Sequence, residues 1–210
     1  MIKLLIADDH PIVRRGLMDI LAESSNITVI DEASEGKEVL EKVRTKVYDV
    51  VVLDIDMPGL SGMDILKILK AEKPGLPVLI LSRYPEEQFA VRVIKAGADG
   101  FLTKGRPPEE LIKAIIKVAR GGQYISPSLA EKLAMYLKET SEKRPHEMLS
   151  NREFQVMLNL GRGKTVQQMA AEMSLSVTTI STYRSRVLKK MKMDNNAQII
   201  YYVINEGLSD

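Results

Sequence analysis

Apolar and polar positions follow two different patterns along this chain. Over residues 1–121, short and mostly apolar runs alternate with longer amphipathic stretches. The runs read Lys3-Leu4-Leu5-Ile6-Ala7, Val50-Val51-Val52-Leu53, Val78-Leu79-Ile80-Leu81 and Gly100-Phe101-Leu102-Thr103, with another over 28–33. Apolar runs this short, bounded by turn residues, suit strands buried on both faces. Strands are therefore predicted near 3–7, 28–33, 49–53, 77–81 and 99–103. Apolar residues spaced three and four apart predict helices near 11–23, 36–45, 62–72, 86–96 and 108–120. Strands alternating with helices give an α/β fold: a doubly wound, five-stranded parallel sheet.

The pattern changes after Gly121-Gly122, which stop the last of these helices. Pro127 can start another helix, running to about Thr140. The polar stretch Thr140–His146, with Pro145 inside it, predicts a linker or exposed turn. From Leu149 no strand pattern returns. Ser150-Asn151-Arg152-Glu153 is a capping box with Leu149 and Phe154 as its hydrophobic staple, and Thr165-Val166-Gln167-Gln168 is a second box. Ser176 is a third N-cap candidate. A segment over 165–172, a turn at 173–175 and a helix from about 177 to 191 make a helix-turn-helix pattern. A last helix over about 195–206 ends at Gly207. The predicted organisation is an α/β domain at 1–121, a helix and linker at 122–147, and a smaller all-α domain at 148–210.

Composition narrows the chemistry. The absence of cysteine rules out disulfides, thiol catalysis and Cys-ligated zinc, and two histidines are too few for a His-based metal site. No apolar run approaches the ~20 residues of a membrane helix. The first strand starts almost at once, leaving no room for a signal peptide. A soluble cytoplasmic location with no membrane partner is the expectation. The net charge of +2 says little as a total. Residues 145–210 carry 8 Lys+Arg against 6 Asp+Glu, so the positions of these charges matter more than their sum.

The strand ends carry the chemistry. In a parallel sheet all C-terminal ends share one edge, and ligands bind there where the strand order switches. Asp8 and Asp9 follow the first strand, Asp54 the third, Ser82 the fourth and Lys104 the fifth. Each alone reads equally well as an ordinary polar strand end; together they suit a divalent cation and a phosphoryl group. Asp8 and Asp9 can ligate Mg²⁺. Asp54 can be the nucleophile and also a ligand. Lys104 can pair with a phosphate oxygen and Ser82 can donate to another.

With these residues in place, 1 to about 120 resembles a response-regulator receiver domain. The matching motifs are Asp8-Asp9, Asp54-Ile55-Asp56-Met57-Pro58-Gly59, Ser82 and Lys104. The resemblance implies a flavodoxin-like fold and phosphorylation of Asp54 by a sensor histidine kinase with Mg²⁺. It also implies the Asp56 backbone carbonyl as a metal ligand, and Phe101 with Ser82 as the switch pair. One departure stands out: the residue after the family's Ser/Thr is usually small, and here it is Arg83. A cap over the phosphoryl group and a solvated arginine are equally good readings of it. Leu53-Asp54-Ile55-Asp56 also resembles the Asp-x-Asp motif of haloacid-dehalogenase-type phosphatases. There the pair follows the first strand, and here it follows the third, so an enzyme is not expected.

On the helix predicted over 177–191, Val177, Ile180, Arg184, Val187, Leu188 and Met191 share one side. Thr178, Ser181, Thr182, Ser185 and Lys189 share the other, and could enter a DNA major groove. Arg184, Arg186, Lys189, Lys190 and Lys192 surround that face and suit phosphates. Residues 148–208 resemble the LuxR-type helix-turn-helix of NarL/FixJ response regulators. The match rests on Leu149, Arg152-Glu153, Val156, Leu160, Gly163, Met169-Ala170, Ser176, Thr179-Ile180, Tyr183, Leu188, Lys190-Met191 and Ala197. It places Ser181, Thr182 and Ser185 at base-facing positions. The whole chain then reads as a phosphorylation-controlled transcription regulator on double-stranded promoter DNA, a homodimer when phosphorylated. A signalling module with a protein-binding output is the alternative. Ile199, Ile200 and Val203 in the last helix could serve packing or a dimer contact.

Overall fold

The structure is a computed structural model that describes residues 1–138 and 144–208. Residues 139–143, which include the first part of the polar stretch expected to be linker, lie outside the described residues. The chain divides into two compact units, Met1–Lys138 and Glu139–Asp210.

The first unit alternates strand and helix: β1 (Ile2–Ala7), α1 (Pro11–Ala22), β2 (Ile27–Ala33), α2 (Gly36–Thr45), β3 (Val50–Asp54), α3 (Gly62–Glu72), β4 (Val78–Ser82), α4 (Glu86–Lys95), β5 (Gly100–Thr103), α5 (Pro108–Ala119) and α6 (Pro127–Lys138). The strands form one parallel sheet in the order β2-β1-β3-β4-β5. Every residue of β3 and β4 is buried, which is why those segments are apolar without alternation. Prolines at the starts of α1 and α5 cost no hydrogen bond there. Ser61 caps α3 by accepting from the Asp64 N–H.

Strand register positions the site. Ala7 lies level with Leu53, Asp54 with Leu81, and Ser82 with Thr103. The residues that close β1, β3, β4 and β5 therefore stand side by side at one edge. The chain leaves β1 toward β2 on one flank and continues through β3 on the other, so this edge is the switch point.

The second unit is helical: a 3-10 turn (Pro145–Met148), α7 (Asn151–Gly161), α8 (Val166–Glu172), α9 (Val177–Met191) and α10 (Asn196–Asn205). Both capping boxes form, and Ser176 and Asn195 cap α9 and α10. Each such cap contributes about 1 kcal/mol. Leu149 and Phe154 are buried, as a staple requires. The 3-10 turn takes up the C-terminal end of the region expected to be linker. Ile180, Val187 and Met191 of α9 and Ile199 and Val203 of α10 are buried, and both helices pack against α7. Among the described residues no helix is long and apolar enough to cross a membrane.

Candidate functional site

The sheet edge gathers the predicted acids around one ammonium. Lys104 Nζ lies 2.6 Å from Asp8 Oδ2 and 2.8 Å from Asp54 Oδ2. Asp8 and Asp54 are almost wholly buried. Burial pushes the Asp54 carboxyl up to about 6; Lys104 opposes this, and the charges of Asp8 and Asp56 add to it. Burial pulls the Lys104 ammonium down, but Asp54 and Asp8 outweigh that and hold it above its usual value. Asp54 Oδ1 is buried and has no hydrogen-bond partner. Asp8, Asp9, His10 and Asp54 each offer a ligand atom, all within 4.8 Å of one another. Three carboxylates against one ammonium leave net negative charge. That excess, and a buried oxygen with no donor, fit a hard divalent cation.

Ser82 is fully buried, and its hydroxyl accepts from the Tyr84 N–H, leaving its own proton to donate. Its carbonyl accepts from the Lys104 N–H at 2.6 Å, tying β4 to the turn that carries the lysine. Phe101 is 2% exposed and stands beside Ile80 in the sheet. Arg83 is neither stray nor directed at Asp54: its Nε lies 3.1 Å from Asp56 Oδ2. Half-burial pulls the guanidinium down, and Asp56 outweighs it, with Asp54 adding a smaller attraction. The Asp56 carboxylate therefore turns to Arg83.

Three residues escaped the sequence reading. Two histidines are too few for a His-based site, yet His10 Nδ1 lies 2.6 Å from Asp9 Oδ1. Gly62 opens α3, where an added Cβ would stand 1.9 Å from the Asp54 carbonyl oxygen. Tyr84, buried, stacks on Phe89 with ring centroids 4.5 Å apart. The only available signals were the Asp9-His10-Pro11 sequence and a glycine just after a capping serine.

On α9, Thr178, Ser181, Thr182, Ser185, Arg186 and Lys189 are exposed. The Thr182 hydroxyl donates to the Thr178 carbonyl at 2.9 Å. Three details depart from the helical wheel. Val177 is exposed despite its place on the apolar side. Arg184 Nε donates to Asn196 Oδ1 at 2.7 Å. Lys190 Nζ lies 2.6 Å from Glu153 Oε2, so it braces α9 against the start of α7. Burial raises the Glu153 carboxyl, but Lys190 and the Ser150 N–H bring it below the usual carboxylate range. In α10, Ile199 and Val203 are fully buried, so both serve packing, and Ile200 is partly buried; the large apolar residues exposed there are Tyr201 and Ile204.

Comparison with known proteins assigns both units. Residues 4–116 match the response regulator receiver domain, and residues 147–203 match the bacterial regulatory proteins of the luxR family. The chain is 33% identical to the response regulator GacA of Pseudomonas aeruginosa, over all of this chain and 99% of that protein. It is 32% identical to the response regulator UvrY of Escherichia coli K12, covering 99% of this chain and 96% of that one. Among solved structures, ChrA, a response regulator of a heme-sensing two-component system, matches 99% of this chain and 98% of its own at 33% identity and a TM-score of 0.53. RcsB of Salmonella enterica serovar Typhimurium, bound to promoter rprA with a phosphomimetic, shares the fold at 23% identity, with a TM-score of 0.64 over 96% of this chain and 97% of its own.

Proposed function

This chain belongs to the two-component response regulators that carry a luxR-family DNA-binding domain, and from that membership we propose that Asp54 is the phosphoacceptor and that its phosphorylation governs promoter binding through α9. The observation that carries the assignment is Asp54 Oδ1, a buried carboxylate oxygen without a partner beside a lysine at the switch point.

A sensor histidine kinase is the natural donor. Asp54 Oδ1 attacks the phosphorus of a phosphohistidine, the phosphorus–nitrogen bond breaks, and the imidazole leaves with a proton from solvent. Lys104, already on Asp54 Oδ2, moves to a phosphoryl oxygen, and the Ser82 hydroxyl donates to another. Mg²⁺, held by Asp8, Asp9, Asp54 and the Asp56 carbonyl, would offset negative charge as the phosphoryl group approaches. The acyl phosphate adds about −1.5 to −2 of charge at the pocket. Ser82, Lys104 and Phe101 form the two-state element that this charge biases. The output is a homodimer on paired half-sites, inside the cytoplasm where kinase and promoter meet. The reaction stays on the chain's own carboxylate, so no phosphomonoester is turned over.

The test is labelling with a small-molecule phosphodonor in Mg²⁺. Asp54→Asn should abolish it. Undiminished, acid-stable labelling of that variant refutes the assignment, and steady phosphate release from a phosphomonoester refutes the non-enzymatic reading.

A further inference from the structure

Resting on the reading of this pocket as a cation site, we infer that His10 is a further protein ligand, beside Asp8, Asp9, Asp54 and the Asp56 carbonyl, and that it makes the site prefer first-row transition-metal ions over Mg²⁺.

The backbone of His10 is fixed where a ligand would need it. Its N–H donates to Asp8 Oδ1 at 2.9 Å, and Pro11 opens α1 directly after it. The imidazole is thereby held over the ends of the carboxylates. Nδ1 lies 2.6 Å from Asp9 Oδ1 and 3.4 Å from Asp8 Oδ1. Two ligands at right angles on an octahedral ion, each bonded at about 2.1 Å, stand about 3.0 Å apart. The two distances bracket that spacing. Lys104 takes the other oxygen of Asp8 and one oxygen of Asp54, and Asp54 Oδ1 has no partner. The imidazole, Asp9 Oδ1, Asp54 Oδ1 and the remaining lone pair of Asp8 Oδ1 are thus left to face an ion. The His10 side chain is 53% exposed, so a shift of a few tenths of an ångström costs little packing.

Donor chemistry sets the preference. Mg²⁺ takes oxygen ligands and gains little from imidazole, whereas ions from Fe²⁺ to Zn²⁺ gain strongly from a neutral ring nitrogen. A pocket of carboxylates alone would separate these ions less. The alternative role for His10 is to hydrogen-bond Asp9 and orient it, which would help every divalent ion alike.

The two roles separate by experiment on the full-length, unphosphorylated chain. Calorimetric titration with Co²⁺ and with Mg²⁺ compares the parent with His10→Gln. The expected result is a loss of about tenfold in Co²⁺ affinity and less than about twofold for Mg²⁺. Pulsed electron paramagnetic resonance on bound Mn²⁺ should show coupling to a ¹⁴N nucleus in the parent and none in His10→Gln. His146→Gln, far along the sequence in the other unit, should change neither readout. Equal losses for both ions, or ¹⁴N coupling absent from the parent or retained in His10→Gln, overturn the inference. If neither ion binds the parent, the reading of the pocket as a cation site falls with it.

Discussion

Asp54 combines two properties that pull against each other, burial and charge. Its carboxyl in the fold sits near 6 against 3.8 for a free aspartate, mainly through burial. Between those values the folded state binds more protons than the unfolded state. Stability from that proton is complete below about pH 4 and is lost as pH rises through 6. A shift of about two units corresponds to about 3 kcal/mol. Without divalent cations, Asp54→Asn should therefore melt several degrees above the parent at pH 8, and the gain should vanish near pH 4. Calorimetric melts across that range check it; a gain independent of pH would deny the buried charge. Arg83 poses a kinetic question. A half-exposed ion pair of about 0.5–1 kcal/mol translates into about two- to fivefold in rate. Arg83→Ala should speed loss of the phosphoryl group by that factor, and Asp56→Asn should match it, since either breaks the same pair. Unchanged rates would leave Arg83 a surface residue. The strand-end residues were legible in the sequence because a parallel sheet sends every such end to one edge. The pairings Arg83–Asp56 and His10–Asp9 were not, because they depend on the path of loops.

At the level of elements, two contacts decide whether the sites keep their shape. Where α3 begins, Gly62 passes so close to the Asp54 carbonyl that a methyl group cannot fit without backbone movement. Gly62→Ala should cost about 1–3 kcal/mol in urea denaturation and should slow phosphorylation as well. In α9, Lys189 and Lys190 look alike in sequence and differ in the fold. Lys189→Ala should weaken binding to all DNA sequences and reduce the salt slope by about 1, with stability unchanged. Lys190→Ala leaves the Glu153 carboxylate, 3% exposed, without its ammonium. Its cost should appear first as about 1–2 kcal/mol of stability, recovered in part by Glu153→Gln. Equal effects of both lysines on DNA and none on melting would refute this division. Helix starts were legible because capping is a local pattern of four residues. The second role of Glu153 was hidden, since its partner lies 37 residues along the chain.

For the whole molecule, the change from alternating strands to capped helices was plain in the sequence; the first compact unit runs to Lys138 and takes in α6. The dimer surface was not plain, because apolar spacing alone cannot separate packing from contact. Ile199 and Val203 turned inward, which leaves Tyr201 at 69% and Ile204 at 56% exposure as the apolar surface of α10. One helix-turn-helix gains affinity mainly by two-fold pairing. Beryllofluoride should therefore shift the protein toward dimer in sedimentation, and Ile204→Glu should weaken that shift on DNA while the melting temperature holds. A monomer in both states, and on its best site, would end the dimer proposal. The brace between Glu153 and Lys190 has one more consequence, on an evolutionary timescale. It fixes the direction of α9 from behind, and Ser181, Thr182 and Ser185 are left exposed. On the proposed reading of these three as base-facing positions, promoter preference can then drift, one substitution at a time, without each change having to pass through an unstable ancestor.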